Sequence, residues 1–187
     1  MGKRSVGILG VQQGVGVTHL AAAMMHYCSS CLKSQTALVE LSGNHELEEL
    51  QKEQDRNVMR LSREHYFVNA DCEKMAEIIN CGYETYILDM GSEFYRIKRE
   101  FLRCDTKIII ASLSPWKRRE LAHFMSYIYG EEGIGGKVTF LAQYGKKKDK
   151  KDFQKKYQVP IHAFPYIEDP FHLKEADILF LKNLIWE

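Results

Sequence analysis

Residues 5–20 read Ser-Val-Gly-Ile-Leu-Gly-Val-Gln-Gln-Gly-Val-Gly-Val-Thr-His-Leu. An apolar, strand-like run passes into a glycine-rich turn, and Thr18 then opens a helical pattern. That order suits one chemistry, in which backbone N–H groups and a helix N-terminus converge on phosphate. The candidate nucleotide contacts are therefore Gln12, Gln13, Gly14, Val15, Gly16, Val17, Thr18 and His19. The lysine that stands between glycine and threonine in such loops is absent, and Val17 takes its place. A second candidate is Asp89, which follows the apolar Tyr86-Ile87-Leu88 and precedes Met90-Gly91. An acid at the end of a buried strand, with glycine two residues on, suits the carboxylate that attends Mg²⁺, and Thr18 is the matching hydroxyl. Plainer roles stay open for each: a structural turn for the glycines, a first-turn residue for Thr18, a strand-end or cap acid for Asp89.

These residues need a scaffold, and the pattern of the chain supplies one. Short β-rich runs at Ser5–Leu9, Thr36–Leu41, Thr85–Asp89, Lys107–Ser112, Lys137–Ala142 and Ile161–Phe164 predict strands. Runs such as Ile108-Ile109-Ile110 suit strands buried on both faces. Helical patterns fall at 18–31, 72–81, 93–103, 116–129, 149–157 and 171–185, with Gly82 and Gly130 as stops. Strand–helix alternation predicts an α/β fold: a doubly wound, mostly parallel sheet with helices on both faces, in three layers. Ligands bind such sheets beyond the carboxyl ends of the strands, where the loop and Asp89 both fall. The stretch 43–67 is polar and weakly patterned, and reads as a loop with a short helix near 46–54. No repeat or linker interrupts residues 1–187, so one domain is expected.

Composition narrows the partners. The chain has 187 residues, 45% hydrophobic and 27% charged, which suits a globular core. A net charge of +1 gives no global reason to bind nucleic acid, so any basic surface is local. No apolar run reaches membrane-span length, and Met-Gly-Lys-Arg-Ser-Val leads straight into the first strand, so a cytoplasmic location is expected. Five cysteines, Cys28, Cys31, Cys72, Cys81 and Cys104, form no disulfide framework by their odd count. Cys28 and Cys31 have redox spacing but lie inside the first helical pattern with Leu20, Met24 and Tyr27, which favours a packing role.

Across nearly its whole length the chain resembles the ParA/MinD-like, deviant-Walker branch of the P-loop NTPases. That family's Gly-Lys-Gly-Gly-Val-Gly-Lys-Thr is matched by Val11-Gln12-Gln13-Gly14-Val15-Gly16-Val17-Thr18. Ala37–Ser42 is similar to its second strand, Tyr86–Gly91 to its third-strand motif, Cys104–Ile110 to the segment after the switch helix, and Pro160–Tyr166 to a late proline-tyrosine stretch. The resemblance implies ATP or ADP with Mg²⁺, protein partners and a homodimer. The departures imply more. Val17 replaces the lysine on the β- and γ-phosphates, and Gln12 the signature lysine that reaches across a dimer to the partner's nucleotide. Glu40 keeps the first acid of the second-strand pair, while Ser42 replaces the second, which is linked to the attacking water. Positioned cations at transferring phosphate are worth roughly 10³–10⁵ in rate. The expected protein is a catalytically impaired pseudo-NTPase, a positioning or assembly factor similar to the TadZ/CpaE-type proteins of pilus and secretion machines. An ATP-dependent switch with weak hydrolysis is the alternative, with Arg96 or Lys98 as a substitute cation.

Two further segments carry possible surfaces. Lys146, Lys147, Lys148, Lys150, Lys151, Lys155 and Lys156 are interleaved with Tyr144, Phe153 and Tyr157. Such a stretch suits DNA backbone or an anionic membrane periphery, or is simply a solvated face. The apolar Ala176–Trp186 carries one lysine, and packing on the sheet is expected there over a membrane helix.

Overall fold

The apolar runs form strands. The computed structural model describes residues 3–48, 52, 63–128 and 138–186. In it β1 spans Arg4–Gly10, β2 Thr36–Glu40, β3 Glu64–Phe67, β4 Thr85–Asp89, β5 Thr106–Ser112, β6 Val138–Gln143 and β7 Ile161–Ala163. They make one sheet in the order β3-β2-β4-β1-β5-β6-β7, with every pairing parallel. Among the described residues there are six α-helices: α1 Val17–His26, α2 Cys72–Asn80, α3 Phe94–Arg103, α4 Arg118–Ile128, α5 Lys147–Tyr157 and α6 Glu175–Trp186.

Alternation along each strand sorts the core into two layers. Val6, Ile8, Leu38, Ile87, Ile108 and Ile110 pack with α1 and α6 on one face. Leu9, Val39, Leu88, Ile109 and Ala111 pack with α2, α3, α4 and Phe153 of α5 on the other. The expected three-layer α/β/α architecture is therefore present. The apolar C-terminal segment is part of it, since Leu181, Leu184 and Ile185 of α6 are buried against the sheet. The stripe Leu121, Phe124, Met125 and Ile128 of α4 is buried as its spacing predicts.

Several boundaries depart from the sequence expectation, each for a local reason. β3 falls in the stretch read as a loop; Glu64-His65-Tyr66-Phe67 is a short edge strand with two polar residues and no apolar run. The short helix expected near 46–54 lies largely outside the described residues, as does Gly130. Gly82 does follow α2, with φ +84°. α1 does not continue as an α-helix to Cys31: Tyr27–Cys31 is a π turn, closed by Leu32 N–H donating to the Tyr27 carbonyl at 3.3 Å. The wider turn rotates Cys31 to the surface, so only Cys28 of that pair is core. Burial pushes the Cys28 thiol up to about 12, far from a reactive thiolate. α5 begins at Lys147, two residues early, because the Asp149 carboxylate accepts from the Lys146 N–H at 2.8 Å. α6 begins at Glu175, four residues late, where Asp177 accepts from the Lys174 N–H at 2.9 Å.

Candidate nucleotide site

β1 lies between β4 and β5, and its end is clamped by both. The Gly10 N–H donates to Gly91 at 2.7 Å and the Val11 N–H to Ile110 at 2.8 Å. The loop that follows turns through Gly14 at φ +75° and Gly16 at φ +93°, a region that L side chains avoid. A Cβ on Gly16 would also come within 3.2 Å of the Phe164 ring. Gly16 caps α1, and no side chain caps the helix there. Its first-turn N–H groups therefore have no side-chain cap, an arrangement that suits an anion.

Val15 and Val17 turn inward and are 3% and 7% exposed. Their methyls pack over Gly10, where an added Cβ would lie 2.8 and 3.0 Å from them. Val17 is therefore part of the loop's apolar floor. Gln12 is also turned in, 2% exposed. Its Oε1 accepts from the Ser112 N–H at 2.9 Å, and its Nε2 reaches the Lys117 carbonyl at 3.4 Å. Thr18 donates to Asp89 Oδ2 at 2.6 Å, and the Gly91 N–H donates to Asp89 Oδ1 at 3.0 Å. Burial raises the Asp89 pKa to about 6; those two bonds oppose the rise, while the charges of Glu40 and Glu46 add to it. Glu40 pairs in register with Asp89 and is fully buried. Its Oε1 accepts from Ser42 and from the Glu46 N–H, both at 3.0 Å, and its Oε2 is buried without a partner. Ser42, at the lost acid, thus braces Glu40 and shapes the turn to Glu46.

Gln12 through His19 line one cavity of about 210 Å³, together with Asn44, Glu46, Gly91 and Ser92. Among the described residues lining it there is no lysine or arginine. Arg96 is turned elsewhere: it donates to the Leu41 carbonyl and lies 3.4 Å from Glu93. A second cavity, about 420 Å³, adjoins the first through Gly16 and His19. Gln143, Tyr144, Phe164 and Tyr166 line it, and the Gln143 Oε1 is buried without a partner. Asn44, Glu46 and Gln143 were not legible as site residues, because Asn44 and Glu46 lie in the polar stretch after β2 and Gln143 ends β6, far from the glycine loop in sequence. Only the similarity of Pro160–Tyr166 pointed toward Phe164 and Tyr166. The seven lysines lie apart from the cavity, at the start of α5 and along it. All are exposed except the half-buried Lys150, while Phe153 anchors the helix from beneath.

No family model matches the chain, and neither does any curated protein. Solved structures do. MinD cell division protein of Aquifex aeolicus superposes with a TM-score of 0.69 at 16% identity, covering 98% of this chain and 97% of that one. MinD is also solved in complex with MinC. A ParA family ATPase of Chlorobium tepidum TLS gives 0.65 at 16% identity, over 98% and 91% of the two chains. A plasmid partition protein of Borrelia burgdorferi B31, bound to AMPPNP, gives 0.65 at 11%, over 99% and 97%. The fold is that of the P-loop NTPases. Within that class it is the ParA/MinD-like form. The left-handed glycines, uncapped α1 and adjoining cavity with an orphaned polar atom fit a nucleotide, and the oxygens of Thr18 and Asp89 fit Mg²⁺.

Proposed function

We propose that this chain is a ParA/MinD-like nucleotide-binding protein with impaired hydrolysis, which works as a positioning or assembly factor through protein partners. One observation carries the reading. The backbone that cradles phosphate is intact, yet both cation positions serve the fold instead: Val17 in the loop floor and Gln12 against Ser112. Gln12–His19 would hold the phosphates, and Thr18 with Asp89 would hold Mg²⁺. The bound ion supplies charge neutralisation at phosphate. Assembly of a pilus or secretion machine, in the cytoplasm or at the membrane periphery, belongs to the same proposal and is supported by the altered loop. The known MinC complex of MinD supports a protein partner.

The test is ATP turnover with Mg²⁺ beside calorimetric binding, in the wild-type chain and in Val17→Lys. Binding without turnover above buffer background is expected for the wild type. Turnover that disappears in Asp89→Asn would replace this reading with a working switch ATPase. A second reading, non-specific association with DNA backbone or an anionic membrane, is favoured by the exposed lysines of α5. Salt-sensitive binding that is lost when Lys146, Lys147 and Lys148 are changed to Gln would support it.

A further inference from the structure

The two cavities give a bound nucleotide a direction. The larger has aromatic walls, Tyr144, Phe164 and Tyr166, and a buried acceptor at Gln143; it suits a nucleoside. It meets the loop at Gly16 and His19. The loop cavity is also lined by Asn44, Glu46, Gly91 and Ser92, none of which lines the larger one. A nucleotide with its base among the aromatics therefore runs its phosphates along the loop toward Glu46.

The two ends of that path differ in charge. In a P-loop, backbone N–H groups hold the α- and β-phosphates, and the lysine reaches the β/γ position. The backbone part survives here, at Gly14, Gly16 and the start of α1. At the far end there is no lysine or arginine among the described lining residues, and Glu46 is held there by its own N–H bonded to Glu40. The partnerless Oε2 of the fully buried Glu40 and the Asp89 carboxylate stand behind it. Arg96, the nearby cation, is tied to the Leu41 carbonyl and Glu93. A third phosphate would bring further negative charge to three carboxylates.

Resting on the nucleotide-binding reading above, we infer that this site selects nucleoside diphosphates and discriminates against the γ-phosphate. The chain then reports the presence of a diphosphate and is blind to the triphosphate. The selecting residue is Glu46, which is exposed and has no part in the core.

Calorimetric titration of the full chain with ADP, ATP and AMPPNP, each with and without Mg²⁺, tests this. ADP is expected to bind at least about tenfold tighter than either triphosphate without Mg²⁺, and the gap is expected to narrow with it. Glu46→Gln is expected to tighten ATP several-fold more than it changes ADP, which narrows the ratio. ATP binding as tightly as ADP, or a ratio that Glu46→Gln leaves unmoved, would overturn the inference while nucleotide binding itself stands. Failure of every nucleotide to bind at millimolar concentration would overturn both.

Discussion

At the residue scale, Asp89 sits under opposing forces. It is fully buried at the end of β4, where desolvation disfavours its charge, and Thr18 and Gly91 only partly compensate. Its pKa rises from the ordinary 3.8 to about 6, so the folded state holds a proton that the unfolded chain has released. Stability from this group is therefore full below about pH 4 and falls as pH rises to about 6, then stays level. Asp89→Asn should match the wild type near pH 4 in urea denaturation and exceed it at neutral pH by up to about 3 kcal/mol. A variant that is less stable at neutral pH, or offset equally at all pH values, would mean that the folded site favours the charged carboxylate. The candidate residues from Gln12 to His19 were legible because glycines at that spacing have few other reasons to sit between strand and helix. The role of their side chains was not. A valine reads as a missing charge in sequence, and only packing over Gly10 shows that it forms the floor.

At the element scale, strands declared themselves where both faces are buried, since β1, β4 and β5 are apolar runs in the middle of the sheet. β3 did not, because an edge strand needs only one well-buried position, here Tyr66. What holds β3 in place is polar. Glu64 accepts from Ser29 and lies 3.1 Å from His26 Nδ1, tying the strand to the end of α1 and its π turn. The Tyr66 hydroxyl adds a 3.3 Å contact. Burial works to raise the Glu64 pKa, but the bonds from His26, Ser29 and Tyr66 outweigh it and hold the carboxyl below its ordinary value. A depressed carboxyl stabilises the fold above the usual carboxylate range and loses that contribution as pH falls through its folded pKa. Glu64→Gln should cost about 1–3 kcal/mol at pH 7, with the gap closing in acid. Hydrogen exchange at the β3 amides should quicken in the variant while β4 stays protected. Unchanged β3 exchange would assign the strand's attachment to its backbone pairing with β2 alone.

At the scale of the whole molecule, the question is whether nucleotide governs association. The family resemblance places a lysine at position 12 that reaches across a dimer, and that reach is what couples nucleotide to dimer. Here the side chain is committed to its own chain. Gln12 is buried, its Oε1 satisfies the Ser112 N–H at the end of β5, and its Nε2 faces the turn that leads into α4. Freeing it would leave a buried N–H unpartnered, at roughly 1–3 kcal/mol. A ligand moves an association equilibrium only through a difference in contacts between the two states. With the Gln12 side chain tied to its own chain, position 12 gives ADP and ATP no such difference to act on. Light scattering or sedimentation should thus return one mass for this chain without nucleotide, with ADP–Mg²⁺ and with ATP–Mg²⁺, whether that mass is a monomer or a dimer. Gln12→Lys with Val17→Lys should make the mass respond to ATP, and either change alone should not, because one supplies the reach and the other the phosphate contact. A wild-type mass that shifts with nucleotide would show that some other part of the chain carries the coupling, and that Gln12 is not where it was lost.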